Sequence, residues 1–211
     1  MLFASLSAQR IVPGYLGKKN IGYIGGQLNV LSAYNYVVDL QNSNPIYNKN
    51  FLGYSLGLQR VIGRNGMMGI AFSYHKSDVF SAQSSVYEES VYSGFQATLQ
   101  FRSYYYKSKG SIAPLGSHMR YNISVESNSL NTSHMNTLIG KTVDIGLGLG
   151  SGKSRVFLDK LWVDYGFEFN YFFNVYNQQD VVKGFEYTAQ VRNNINTMYL
   201  VSFKANFGYL F

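Results

Sequence analysis

Met198–Phe211 reads MYLVSFKANFGYLF. Counting back from Phe211, every second residue is apolar or aromatic: Tyr209, Phe207, Ala205, Phe203, Val201 and Tyr199. Gly208, Asn206, Lys204 and Ser202 fall between them. A β-strand points successive side chains to opposite faces, so this segment has one greasy face and one polar face. In a soluble sheet the greasy face would pack on a core. Here the last residue is itself aromatic, and other segments repeat the pattern. Together these features predict a closed antiparallel barrel whose outer face meets lipid.

Composition narrows the class. The chain has 211 residues, a length that one domain accommodates. It carries 19 Tyr, 15 Phe and 21 Gly against 3 Pro, a strand- and turn-forming balance. Charged residues make up 14%, against about 25% in an ordinary soluble domain. The mean hydropathy is nevertheless near zero, because apolar residues are interleaved with polar ones. No run approaches the ~18 consecutive apolar residues of a membrane helix, which excludes a helical membrane protein. Cysteine is absent, so disulfides, thiolate chemistry and cysteine-based zinc sites are excluded. Met1–Gln9 (MLFASLSAQ) reads as the remainder of an export signal, set apart from a single barrel over residues 10–211.

Eight segments fit period two. They are Gly22–Leu31, Leu52–Ile62, Met68–His75, Val91–Tyr105, Met119–Val125, Ile139–Leu149, Val163–Phe173 and Met198–Phe211. In the seventh, Val163, Tyr165, Phe167, Phe169, Tyr171 and Phe173 alternate with Asp164, Gly166, Glu168, Asn170 and Phe172. Gly63-Arg64-Asn65-Gly66 marks a tight hairpin, because Asn and Gly tolerate positive φ. The other connections after even segments are Lys107–Ser117 and Gly150–Lys160. Those after odd segments are Ser32–Phe51, Lys76–Ser90, Glu126–Leu138 and Tyr176–Thr197, mostly longer and richer in Asn, Ser and Gln. Short turns on one side and long loops on the other are the rhythm of an up-and-down transmembrane barrel. Aromatics toward the strand ends (Tyr54, Tyr74, Tyr104, Tyr105, Tyr171, Tyr199, Tyr209 and Phe211) fit two interfacial girdles.

On these segments and the terminal aromatic, the chain resembles the small eight-stranded outer-membrane barrels of Gram-negative bacteria, the OmpX- and OmpW-like class. The resemblance covers roughly Gly22 to Phe211. It implies a barrel-assembly signal in the last strand, carried by Lys204, Asn206, Tyr209 and Phe211, although Asn206 stands where that signal usually has Gly. It also implies insertion by the barrel-assembly machinery, with periplasmic termini and extracellular loops. The surrounding partners would be outer-membrane lipid and lipopolysaccharide. It names no particular function.

The net charge of +7 is unevenly placed. Arg10, Lys18, Lys19, Arg64, Lys107, Lys109, Lys153, Arg155 and Lys160 gather on the short-turn side with only Asp159. Lys49, Lys76, Lys183 and Arg192 share the long loops with Asp39, Asp78, Glu88, Glu89, Glu126, Asp180 and Glu186. The basic rim suits anionic headgroups. Nucleic-acid binding is the rival reading of a basic chain, but no basic helix or RNA-binding motif supports it.

Six charges fall on the polar face inside strands: Arg102, Arg120, Lys204, Asp144, Asp164 and Glu168. An eight-stranded barrel is only wide enough to be filled by side chains, so charges there must pair. Glu168 and Lys204, on neighbouring strands, are the expected pair, and Arg102, Arg120 and Asp164 are expected to cluster at the turn end. A structural plug is the preferred role, with an ion path or ligand site as the alternative.

The remaining motifs point to little chemistry. Gly146–Ser154 (GLGLGSGKS) has Leu147 where a phosphate-binding loop needs Gly, and no helix follows. His75, His118 and His134 lack ligand spacing, so no metal or other cofactor is expected. Ser73 and His75, with Glu88 and Glu89 nearby, fit a lipid A acyl hydrolase or acyltransferase only loosely, because both point inward by parity. The leading expectation is a non-enzymatic structural or interaction module, with an accessory role in an envelope uptake or secretion assembly as one form of it. A lipid-modifying enzyme and a narrow channel for small hydrophobic molecules are the alternatives.

Overall fold

Alternation of apolar with small or polar residues leaves the chain nothing to pack as a helix, and it forms strands instead. The computed structural model describes residues 17–31, 46–48, 51–81, 88–105, 113–132, 138–179 and 199–211. The strands are β1 (Asn20–Leu31), β2 (Ile46–Asn48), β3 (Phe51–Val61), β4 (Gly66–Ser81), β5 (Glu88–Tyr104), β6 (Gly116–Thr132), β7 (Leu138–Phe157), β8 (Leu161–Gln179) and β9 (Tyr199–Leu210). Short β2 pairs only with Val79–Ser81 of β4, so the barrel itself has eight staves. Each stave pairs antiparallel with its sequence neighbour, and β1 closes on β9 from Ile21↔Leu210 to Leu31↔Leu200. Closure leaves the barrel no unpaired sheet edge.

Closure also sets tilt and width. The register runs from Ile21 through Gln59, Gly69, Gln100, Asn122, Gly148, Asn170 and Leu200. It returns to β1 at Leu31, ten residues along from Ile21. Such an offset tilts the strands against the barrel axis and leaves an interior that side chains can fill.

Strand parity then sorts the residues. Leu56 is 59% exposed, Leu147 50% and Phe167 52%, while inward Gln59, Asn122, Asp164 and Glu168 are buried. A soluble ligand-binding barrel has the opposite arrangement, with its apolar face inside. Here the apolar residues form a continuous outer belt.

Several boundaries differ from the sequence-based expectation. β4 runs to Ser81, β6 to Thr132 and β8 to Gln179, so parts of the expected loops are strand. The apolar alternation fades there, but the backbone ladder continues, for example Lys76–Ser81 against Glu88–Ser93. The expected connection Gly150–Lys160 is mostly β7, because its Gly- and Ser-rich residues pair with Leu161–Glu168. The turn is only Leu158–Lys160, with Leu158 and Asp159 at φ of 49° and 58°. Two positive-φ residues match strand twist; Asp159 tolerates this conformation, whereas Leu158 does not advertise it. At Gly63–Gly66 the hairpin forms as expected, closed by Ile62 N–H donating to Gly66 O at 3.0 Å. Among the described residues, positive φ is confined to Gly17, Gly116, Leu158 and Asp159, so Asn65 and Gly66 do not use it.

Tyr104 is a further correction. Expected in an outer girdle, it is 2% exposed inside the barrel, two positions on from inward Arg102. It joins Ile21, Tyr23, Val61, Met67, Ala113, Trp162 and Leu210 in the buried apolar cluster. Most of these are the last inward residues of their strands at the turn end, so the cluster forms a stopper there. Tyr23 fits because Gly57 faces it: a Cβ on Gly57 would stand 2.5 Å from the ring.

Candidate functional site

Immediately above the stopper, β5, β6, β8 and β9 direct their inward charges to one point. The centre is Asp164, 0% exposed. Its Oδ2 lies 2.9 Å from Arg102 Nη1 and accepts from Arg120 Nη2 at 2.6 Å and Asn206 Nδ2 at 3.0 Å. Its Oδ1 accepts from Ser154 Oγ at 3.0 Å. Three hydrogen-bond donors and the Arg102 charge contact surround the carboxylate. A buried carboxylate is tolerable only when satisfied in this way.

Each arginine is held on several sides. Arg102 places its guanidinium carbon 4.9 Å from the Trp162 ring centroid, a cation–π contact in a dry setting. With the Gln59 amide turned so that its oxygen faces the arginine, that oxygen accepts from Arg102 Nη2 at 3.0 Å and Nε at 3.1 Å. Trp162 Nε1 donates to Pro114 O at 3.3 Å, tying the stopper to the β5–β6 connection. Arg120 donates through Nη1 to Glu168 Oε1 at 3.3 Å and through Nε to His118 Nε2 at 3.0 Å. A ring nitrogen that accepts carries no proton, so His118 is neutral in this arrangement. Its 3.4 Å approach to Asp164 is therefore not an ion pair. Gly152 makes room for this crossing: a Cβ there would lie 2.8 Å from Arg120 Nη2 and 2.9 Å from His118 Nε2.

Lys204 Nζ stands 2.5 Å from Glu168 Oε2, so the two residues expected to pair are adjacent. Arg102, Arg120 and Asp164 likewise lie together near the turn end. Asp144, the sixth expected member, is elsewhere. It sits in a second tier toward the opposite end, where Asn128 Nδ2 and Thr142 Oγ1 donate to its Oδ2 at 3.1 and 3.0 Å. Directly across the β6–β7 ladder from Asp144 is Glu126, expected in a loop but buried in β6. His75 Nε2 lies 3.4 Å from Glu126 Oε1. The lumen therefore holds four carboxylates against three cations among the described residues, where the sequence reading matched three with three.

Strand parity carries signals that went unused. His118 is two positions before Arg120, and Ser154 and Gln59 sit on the polar face of their strands. Asn206, a member of the expected assembly signal, also donates to Asp164. GLGLGSGKS lies wholly within β7, a strand and not a phosphate-binding loop. Ser73 and His75 are both buried inward. Glu88 and Glu89, expected in the adjoining loop, belong to β5. His134, the Met1–Gln9 segment and most of the long-loop charges lie outside the described residues.

Chemically, this arrangement immobilises charge. Aliphatic and aromatic residues close the turn end, ion pairs fill the level above, and amides with the His75–Glu126 contact fill the next. Tyr23 links the levels by donating to Gln100 Oε1 at 3.1 Å.

Compared with known protein families and curated proteins, the chain matches none. Among solved structures it is similar to Ail, the attachment invasion locus protein of Yersinia pestis, in complex with the heparin analogue sucrose octasulfate. That comparison has a TM-score of 0.50 at 9% identity, over 92% of this chain and 97% of that one. It also aligns with the outer membrane protein OprG from Pseudomonas aeruginosa, with a TM-score of 0.49 at 8% identity over 92% and 96% of the two chains. Neisserial surface protein A gives 0.45 at 9% over 91% and 94%. The likeness is one of fold: this chain has the closed eight-stranded architecture of small outer-membrane barrels.

Proposed function

We propose that the protein is an integral outer-membrane barrel with a sealed lumen. It serves as a non-enzymatic structural or interaction module through its long-loop end, as an accessory subunit of an envelope uptake or secretion assembly. Its termini are periplasmic, its loops extracellular, its surroundings lipid and lipopolysaccharide, and its insertion the work of the barrel-assembly machinery. The observation that carries this reading is the pairing of an apolar outer belt with a lumen packed by mutually bonded polar side chains. A protein that neither passes solutes nor presents a reactive group to lipid acts through its surface. Burial of Ser73 and His75 on the inward face weighs against the lipid-modifying alternative. The ion-paired level and the stopper below it weigh against a channel.

Planar-bilayer recording of the purified, refolded protein tests the sealed lumen. The expected trace shows no steps above the bare membrane; reproducible unitary steps would replace this reading with the channel. The belt is tested by Leu147→Arg, which places a cation on the outer face between Ile123 and Tyr171. A loss of about 2–4 kcal/mol is expected from urea unfolding in lipid vesicles if Leu147 lies near the bilayer midplane. An unchanged midpoint would mean that this face does not meet hydrocarbon.

A further inference from the structure

The outer belt is not uniform. On β1 the outward residues alternate Gly22, Ile24, Gly26 and Leu28, so two of the four positions lack a side chain. The ridges beside them are tall: Tyr54, Leu56 and Leu58 on β3, and Phe203, Phe207 and Tyr209 on β9. Across this face run two grooves of 460 and 680 Å³ that share Ile24, Leu56, Phe72 and Phe207 and so form one trough, which also reaches over β3 to Tyr74 of β4 and Phe95 of β5. A Cβ on Gly26 would meet nothing within 4 Å, and one on Gly22 would be in ordinary contact with Leu58 and Phe211. The space is open because side chains are missing. At about 3.3 Å per residue, Gly22 to Gly26 covers roughly 13 Å, close to half of the ~30 Å hydrocarbon core. With strands tilted by about 40°, the depth is roughly 10 Å, which lies within one leaflet.

The trough has a charged mouth. One step beyond Leu58 on β3 is exposed Arg60, paired in register with Asn20 next to Lys19. From the β7–β8 turn, Lys160 brings Nζ to 6.0 Å from the ring centroid of Tyr209, which lines the trough. Asp159 is the one carboxylate among the described outward residues of this rim. An apolar slot within one leaflet, ending at Arg60 and Lys160, is complementary to a molecule with a long apolar chain and an anionic head.

We propose that this trough binds one acyl chain of an anionic phospholipid, with its phosphate held at the mouth by Arg60 and Lys160. The proposal rests on the membrane reading above and adds a defined lipid to it. Lipid in the trough would fill a part of the belt that side chains leave open. The head would neutralise part of the rim's positive charge.

The test is native mass spectrometry of the full chain after exchange with vesicles holding equal phosphatidylglycerol and phosphatidylcholine of identical acyl chains. The wild type is expected to retain phosphatidylglycerol preferentially. Each Lys or Arg held near anionic headgroups strengthens association roughly fivefold. The double variant Arg60→Gln/Lys160→Gln should therefore lose on the order of twentyfold in that preference. Lys153→Gln/Arg155→Gln, on the same rim but on β7, should leave the preference unchanged. Gly26→Phe should abolish retention of both lipids, with Gly26→Leu as the milder variant read in the same way. Equal retention of the two lipids by wild type, or unaltered retention in the Gly26 variants, would overturn the proposal. So would a dimer mass lost in Gly26→Phe, which would assign the trough to a second copy. A monodisperse protein without detergent would instead overturn the membrane reading itself.

Discussion

Asp164→Asn is expected to destabilise the folded barrel by about 3–5 kcal/mol, the usual cost of removing one partner from a buried ion pair. The substitution keeps the shape and removes only the charge. What remains is severe, because Arg102 and Arg120 are direct cross-strand partners in the β5–β6 ladder. Like charges placed opposite each other repel, and in a dry interior that repulsion is little screened. Asp164 allows them to coexist by taking one guanidinium at 2.9 Å and the other at 2.6 Å. Asn206→Ala serves as the comparison, since it removes one neutral donor to the same carboxylate. That change should cost about 1–3 kcal/mol. Equilibrium unfolding in vesicles by urea or guanidinium reads both. If Asp164→Asn costs no more than Asn206→Ala, the two arginines do not depend on this carboxylate.

The second large effect is at Glu168 and Lys204. Glu168→Lys would put a cation beside both Arg120 and Lys204, in contact with each through the positions now 3.3 and 2.5 Å from the carboxylate. We expect a loss of at least about 3–5 kcal/mol, read as disappearance of the compact, heat-modifiable form on cold gels. Lys204→Glu should also lose stability, because two carboxylates would then share one site. Combining E168K with K204E restores an opposite pair and should recover part of the loss, with a coupling of about 1–3 kcal/mol. Recovery is partial because Arg120 would still face the introduced lysine. A double variant that folds no better than either single would show that the Glu168–Lys204 contact does not act as a pair.

Much of this site could be anticipated because parity is a local property. Once Phe167 and Phe169 face outward, Glu168 between them must face inward, and the same holds for Arg102, Arg120, Asp164 and Lys204. Tyr104 was misplaced by weighing residue type over parity: two positions from an inward arginine, it too points inward. Glu126 was missed for a different reason. The apolar alternation that marks a strand fades beyond Val125, yet β6 continues to Thr132 because β5 and β7 still offer backbone partners. Strand length beyond the belt is set by hydrogen bonding to neighbours, and no single segment records it. The turn at Leu158–Asp159 is hard to read for the same kind of reason, since the flanking ladder imposes positive φ on a leucine as well as on the tolerant aspartate.

The division between local and global information is therefore clear in this molecule. Period-two alternation, read segment by segment, settles that the chain makes strands, which face is greasy, and which charges must point into the interior. It does so because the side-chain direction of a strand residue depends only on its place along that strand. Which inward charges meet depends on height, and height follows from the register accumulated over eight ladders and the ten-residue offset at closure. That sum brings Arg102, Arg120, Asp164, Glu168 and Lys204 to one level and leaves Asp144 with Glu126 in another. Shifting any ladder changes these meetings, and a one-residue slip would also turn a whole strand inside out. Closure also places the side-chain-poor face of β1 between the Tyr54–Leu58 and Phe203–Tyr209 ridges and beside Arg60 and Lys160, a juxtaposition of residues from four parts of the chain.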